Sequence, residues 1–134
     1  MLKILFCGDR HWKDQGWIIQ VMSSLRVNLG NFTVIEGEAT GADTLARETA
    51  KLLDLPFEPY PAQWEKYGRA AGPIRNSQML LEGKPNAVVA FHTNLAQSKG
   101  TANMVNQARK AGLPVWTCED GHESLVKFIQ ELKS

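Results

Sequence analysis

The chain has 134 residues, 43% of them hydrophobic and 22% charged, with a formal net charge of +1. That length suits one domain with one core, and the composition excludes a disordered or low-complexity chain. A near-neutral balance argues against a large nucleic-acid footprint, which needs a strongly basic domain, but leaves room for a local anion site. The opening MLKILFCGDR has too short an apolar run for a signal-peptide core or a membrane span. With two cysteines far apart in sequence, Cys7 and Cys118, the expectation is a cytoplasmic protein with free thiols.

KILFC (residues 3–7) is a short apolar run stopped by Gly8 and Asp9, the pattern of a buried strand in a parallel sheet. Ile18, Val21, Met22, Leu25 and Leu29 follow at helical spacing, with Gly30-Asn31 as the stop. FTVIEG (32–37) predicts a second strand, and Ala42, Leu45, Ala46, Thr49, Ala50 and Leu53 a second helix. PFEPYP (56–61) is a weaker third strand, limited by its prolines. A short helix is expected around Trp64 to Tyr67. Another should follow Pro73, a residue suited to a first helical turn, with Ile74, Met79, Leu80 and Leu81 on its apolar side. NAVVAFH (86–92) is the clearest strand, NLAQSK a polar loop, and GTANMVNQARKAG a helix stopped by Gly112. LPVWTC predicts the fifth strand, and Leu125, Phe128, Ile129 and Leu132 mark a last helix.

Alternating strands and helices imply an α/β fold: a single three-layer domain over 1–134, with a mostly parallel five-stranded sheet and helices on both faces. The expected strand order is 3-2-1-4-5. Ligands in such folds sit beyond the carboxyl ends of the strands where chain direction across the sheet reverses, here between strands 1 and 4.

Three segments leave the sheet at that edge with small residues at a helix entrance: CGDRHW, EGEATGAD and SKGTANM. Glycine lets a backbone approach a ligand, and free N–H groups at a helix start attract anions. Together they point to a cradle for phosphate or ribose phosphate. Arg10 and Arg75 are the candidate anion partners, since a guanidinium grips phosphate with two hydrogen bonds; Arg75 follows Gly72-Pro73 at the mouth of its helix. Lys99, before Gly100 and Thr101, is either a phosphate contact or a surface charge. Asn76 either caps locally or reads a ligand. Asp9, Glu36 and Asp43 are candidates for ribose hydroxyls. Asp43 fits a helix-start role better, and Glu36, at a strand end, is the better ribose or general-base candidate. His11, His92 and Asp9 lack tight metal-ligand spacing, and no metal is assigned. Cys7 reads as a packed thiol. Trp17 and Trp116 read as core; Trp12 and Trp64, near the edge loops, either stack on a base or pack locally.

GDR after the first strand, EGEATGADTLA, PAQWEKYGRAAGPIRNSQML and FHTNLAQSKGTANMVNQARKAGLPV resemble the YspA, cpYpsA-related family of the SLOG superfamily, over roughly residues 3–116. The AAGPIRN and SKGT blocks are the most specific, and phage-borne members are among the proteins it resembles. The resemblance implies a Rossmann-like fold that binds nucleotides or nucleotide-derived ligands. It would place Gly8, Asp9, Arg10, Gly37, Gly41, Asp43, Arg75, Asn76, Gly100 and Thr101 around the ligand.

Two departures matter. Glu38 follows Gly37 where the family often has a second glycine. The related phosphoribohydrolases look like PGG.GT..E at strand 4, where this chain has Met104 in the place of the glutamate. A thioether is neither acid nor base, so their base-releasing chemistry would need Glu36, Asp9 or another carboxylate, with Arg75 in the place of their arginine. The leading expectation is therefore a binding protein, a sensor or sequestering module for a nucleotide-type ligand. N-glycosidic hydrolysis or transfer is the main alternative, and DNA binding or protein interaction the next. No further cofactor is assigned. A homodimer through helical faces is expected by analogy with related folds.

Overall fold

The structure, a computed structural model, describes residues 1–134. Five parallel strands form one sheet in the order β3-β2-β1-β4-β5. The strands are β1 (Leu2–Gly8), β2 (Phe32–Glu36), β3 (Phe57–Pro59), β4 (Ala87–Phe91) and β5 (Val115–Thr117). The helices are α1 (Gln15–Leu29), α2 (Ala42–Leu52), α3 (Trp64–Tyr67), α4 (Ala71–Leu81), α5 (Gly100–Lys110) and α6 (Gly121–Lys133). The expected fold class and strand order are those observed. No helix is long and apolar enough to cross a membrane.

Two cores flank the sheet. On one face Ile4, Phe6, Phe32, Val34, Val89 and Phe91 meet buried residues of α1, α2 and α6. On the other, Leu5, Cys7, Ile35, Val88 and Ala90 meet Met79 of α4 and Met104, Val105 and Ala108 of α5. Alternate residues of one strand thus feed opposite cores, as the pleat requires, and burying both faces makes the strands read as continuous apolar runs. Because β1 pairs with both β2 and β4, the chain leaves the sheet centre in two directions, and the loops after β1 and β4 part there to open a crevice.

Several element ends have local causes. Asp14 accepts a hydrogen bond from the Trp17 amide at the start of α1 (3.0 Å), and Gly30 ends that helix at φ +82°. α4 begins at Ala71, two residues before Pro73, which lies in the first turn, where a missing N–H loses no helical bond. The loop before α5 contains a 3₁₀ turn over Leu95–Gln97. β3 is only three residues long, an edge strand ended by proline.

Candidate functional site

A cavity of about 820 Å³ opens beyond the carboxyl ends of β1 and β4, on the α4–α5 side of the sheet. Its walls come from five places: Cys7–His11, the start of α2 with Ala39 and Asp43, the α3–α4 region, His92 after β4, and the segment from Gln97 into α5. A shallower recess of about 340 Å³, lined by Trp12, Lys13, Gly41 and Thr44 among others, carries a single charged group, Lys13.

The β1 exit is locked in place by its own backbone. The Asp9 amide donates to the Phe91 carbonyl (2.9 Å), and the Asp9 carbonyl accepts from Trp12 and from Ala42 at the start of α2 (both 3.0 Å). The Asp9 carboxylate accepts from the His11 amide (2.9 Å). A Cβ on Gly8 would collide with the Phe91 carbonyl oxygen, and one on Gly41 with the carbonyls of Asp9 and Arg10; Gly41 also has φ +79°. These glycines let two loops interlock.

Arg75 lies on the cavity-facing side of α4. Its Nη1 donates to the Gly37 carbonyl, and its Nε donates to Asn76 Oδ1 (3.0 Å). A Cβ on Gly37 would run into this guanidinium, so glycine here makes room for Arg75. Asn76 is 4% exposed and donates from Nδ2 to Asn103 Oδ1 (3.0 Å) and to the Gly100 carbonyl (3.4 Å). Gln107 donates to Asn103 Oδ1 (2.8 Å) and accepts from the Ser77 hydroxyl (2.9 Å). This polar ladder ties α4 to α5 and holds Arg75 at the end of the β2 loop.

At the start of α5 the Ser98 hydroxyl accepts from the amides of Thr101 (3.0 Å) and Ala102 (3.3 Å). The Gly100 amide has no protein acceptor, and nothing lies within 4 Å of a Cβ built there. Ser98 therefore does the capping at a helix start, while Gly100 faces open space.

The charges around this cavity are uneven. Arg10, Arg69, Arg75 and Lys99 line it against two carboxylates, Asp9 and Asp43. With histidines neutral, 4 − 2 gives +2, although the whole chain carries only +1. The ion pairs of the protein, Lys3–Glu58, Arg47–Glu38 and Lys51–Glu48, all lie elsewhere. None of the four cavity cations forms an ion pair within 4.0 Å, although Asp43 lies near enough to Arg75 to feel its charge. Asp43 is 5% exposed and accepts from the Ala39 amide (3.3 Å). Burial pushes its carboxyl up to about 6, while the Arg75 guanidinium pulls the other way. Burial also raises the Cys7 thiol well above its ordinary range, so this sulfur on the cavity wall is a neutral packing group.

The structure brings Gly8, Asp9, Arg10, Asp43, Arg75, Asn76, Lys99, Gly100 and Thr101 together around one cavity. Three candidates fall outside it. Gly37 and Gly41 are filled by protein groups. Glu36 is fully buried on the opposite sheet face, where Phe32 and Val34 point, with Oε2 accepting from the Glu38 amide (2.6 Å) and Oε1 unpaired. Burial pushes its carboxyl up to about 7. Glu36 does not line the cavity, so it serves there neither as the ribose contact nor as the general base expected from sequence. Asp43 does not cap α2; it braces the loop before it. Trp12 is 9% exposed and packed on Phe91, its Nε1 donating to the Asp14 carbonyl (2.9 Å), so this ring packs locally and does not line the cavity. Trp116 is core, and Trp17 is half-buried against Trp12 and Phe91. His11, His92 and Asp9 all line the cavity, yet no three His, Cys, Asp or Glu side chains converge to hold a metal.

Sequence reasoning did not single out Arg69, Ser98 or Asn103. Ser98 was the most readable of these, since serine just before a helical run is a capping signal.

Fold and cavity define a Rossmann-like α/β protein with a cationic crevice at its topological switch point. The chain belongs to the YspA, cpYpsA-related SLOG family, whose model matches residues 2–67. It is 32% identical over 121 residues to the Gene 61 protein of Mycobacterium phage D29, covering 86% of this chain and 94% of that protein. Its fold is similar to that of DNA processing protein A (DprA) from Streptococcus pneumoniae, with a TM-score of 0.65, 16% identity and 87% of this chain covered. The chain spans about half of that solved structure, 50% of its length.

Proposed function

We propose that the cavity binds a nucleotide or nucleotide-derived ligand, its phosphates held between the Arg75 guanidinium and the start of α5. The observation that carries this reading is the convergence of four cations, none in a close ion pair, on one crevice that also exposes a free helix-start amide at Gly100. A helix N-terminus with a bare glycine suits an anion, and a guanidinium already oriented by Gly37 and Asn76 loses little freedom on gripping phosphate. A volume of about 820 Å³ is in the range of small-molecule sites. Met104, 1% exposed, offers no proton at the cavity wall, which favours binding over cleavage and so a sensor or sequestering module.

A thermal-shift screen over nucleoside mono-, di- and triphosphates tests the reading. A ligand at a hundred times its dissociation constant should stabilise the protein by about 2.7 kcal/mol. Arg75→Ala should remove most of that gain. A flat response to every nucleotide contradicts the proposal.

One observation favours a second reading, cleavage of an N-glycosidic bond. Asp43 brings to the cavity a buried carboxylate with a raised pKa, the kind of group that serves as acid or base near neutral pH. Free base released from nucleoside monophosphates, with release abolished in Asp43→Asn, would establish it. Intact nucleotide after prolonged incubation would dismiss it.

A further inference from the structure

Most of the cavity wall is charged, polar or glycine. Its apolar members other than Trp64 are Cys7, Ala39, Pro73, Met79 and Met104, none of which carries an aromatic face. Trp64 is the one Phe, Tyr or Trp that lines it. This indole is 60% exposed, whereas Trp12 and Trp116 are 9% and 1% exposed. Neither α3 nor the 3₁₀ turn after it (Gly68–Ala70) buries any residue, so Trp64 is not holding a core together. The far edge of its ring lies over Gly72, where a Cβ would stand 3.6 Å from it. That lays the ring along the start of α4, three residues before Arg75. Tyr67, the neighbouring aromatic, has the Lys66 ammonium 5.0 Å from its ring and does not line the cavity.

We propose that Trp64 is a specificity-determining residue: its indole stacks on the base of a ligand whose phosphates lie at Arg75, so that the site selects base-bearing nucleotides over bare phosphates and sugar phosphates. This inference rests on the anion site proposed above and adds the second end of the ligand. The two features have complementary chemistry. The Arg75–Gly100 end offers charge and N–H donors, which any phosphate satisfies. The Trp64 end offers a broad π-face, on which a flat heterocycle stacks over more area than a sugar covers and a bare phosphate gains nothing, with little preference among bases.

The test titrates ADP, GDP, CDP, UDP and inorganic pyrophosphate into the wild-type protein, Trp64→Ala and Trp64→Phe. The tightest nucleoside diphosphate should bind wild-type protein more tightly than pyrophosphate does. Trp64→Ala should weaken that nucleotide roughly 5- to 150-fold, the span that one stacked base accounts for. Pyrophosphate affinity and the ligand-free melting temperature should stay unchanged in the same variant. Trp64→Phe should restore most of the nucleotide affinity while removing the ligand-induced change in indole fluorescence. The outcomes separate the two readings. If pyrophosphate binds wild-type protein as well as every nucleoside diphosphate, or Trp64→Ala weakens both ligand types equally, the stacking role falls and the anion site stands. If neither ligand type binds wild-type protein, the anion site falls and takes the stacking role with it.

Discussion

Two glycine-bearing loops flank the Arg75 guanidinium, and they use glycine for opposite purposes. In the loop after β2, the space beside Gly37 is taken by Arg75 and that beside Gly41 by the carbonyls of Asp9 and Arg10. At the start of α5, Gly100 has nothing within 4 Å of a Cβ and its amide has no protein acceptor. The first loop is finished by the protein's own groups; the second is left open toward the cavity. Glycine at a helix entrance therefore does not itself indicate a ligand contact. What surrounds the missing side chain decides between packing and binding.

This contrast can be broken or sharpened by substitution, beginning with the largest effect. Gly41→Ala should lower unfolding free energy by about 3 kcal/mol, because a left-handed backbone and a backbone clash act together; chemical denaturation measures it. A loss under about 0.5 kcal/mol would mean the loop adapts and the packing account of Gly41 is wrong.

Next comes the buried acid of the same region. Burial pushes the Glu36 and Asp43 carboxyls up to about 7 and about 6, above their ordinary values of 4.5 and 3.8. Between about pH 4 and pH 7 the folded state then binds more protons than the unfolded state, so these groups make stability fall as pH rises through that window. Glu36→Gln should flatten that fall and stabilise the protein at pH 8 by about 2 kcal/mol. Denaturation curves at pH 5 and pH 8 check it; an equal effect at both would contradict the assignment.

Arg75→Ala removes two hydrogen bonds and should lower ligand-free stability by about 1–2 kcal/mol, while its larger consequence falls on phosphate binding. Smallest in stability is Gly100→Val, expected to stay within about 0.5 kcal/mol of wild type yet to weaken nucleotide binding by filling the approach to the helix start. A variant that unfolds the protein without a specific binding loss would place Gly100 in the packed class with Gly41.

The fold was legible because buried parallel strands write themselves as apolar runs, and β1, β2 and β4 each did so. The same property hid the orientation of Glu36. FTVIE is buried along its whole length, so no alternation in the sequence tells which face position 36 takes; pairing with β1 and β3 decides that. Trp12 left stacking and packing both open for a related reason. It lies in a loop by sequence, but the loop folds back and seats the indole on Phe91. Arg75 and Gly100 were readable from local chemistry, a guanidinium after a Gly-Pro entry and a bare glycine at a helix mouth. Arg69 was not, because only the path of the α3–α4 region brings it to the same cavity.

The central claim is that the unpaired cations around Arg75 receive a phosphorylated ligand. Isothermal titration of ADP and the other nucleoside diphosphates into wild-type protein and Arg75→Ala, side by side, tests it most directly. The account predicts saturable one-site binding to the wild type and at least a tenfold weaker constant in the variant, the equivalent of about 1.4 kcal/mol. Equal constants for the two proteins, or no heat of binding to the wild type from any nucleotide, would contradict it.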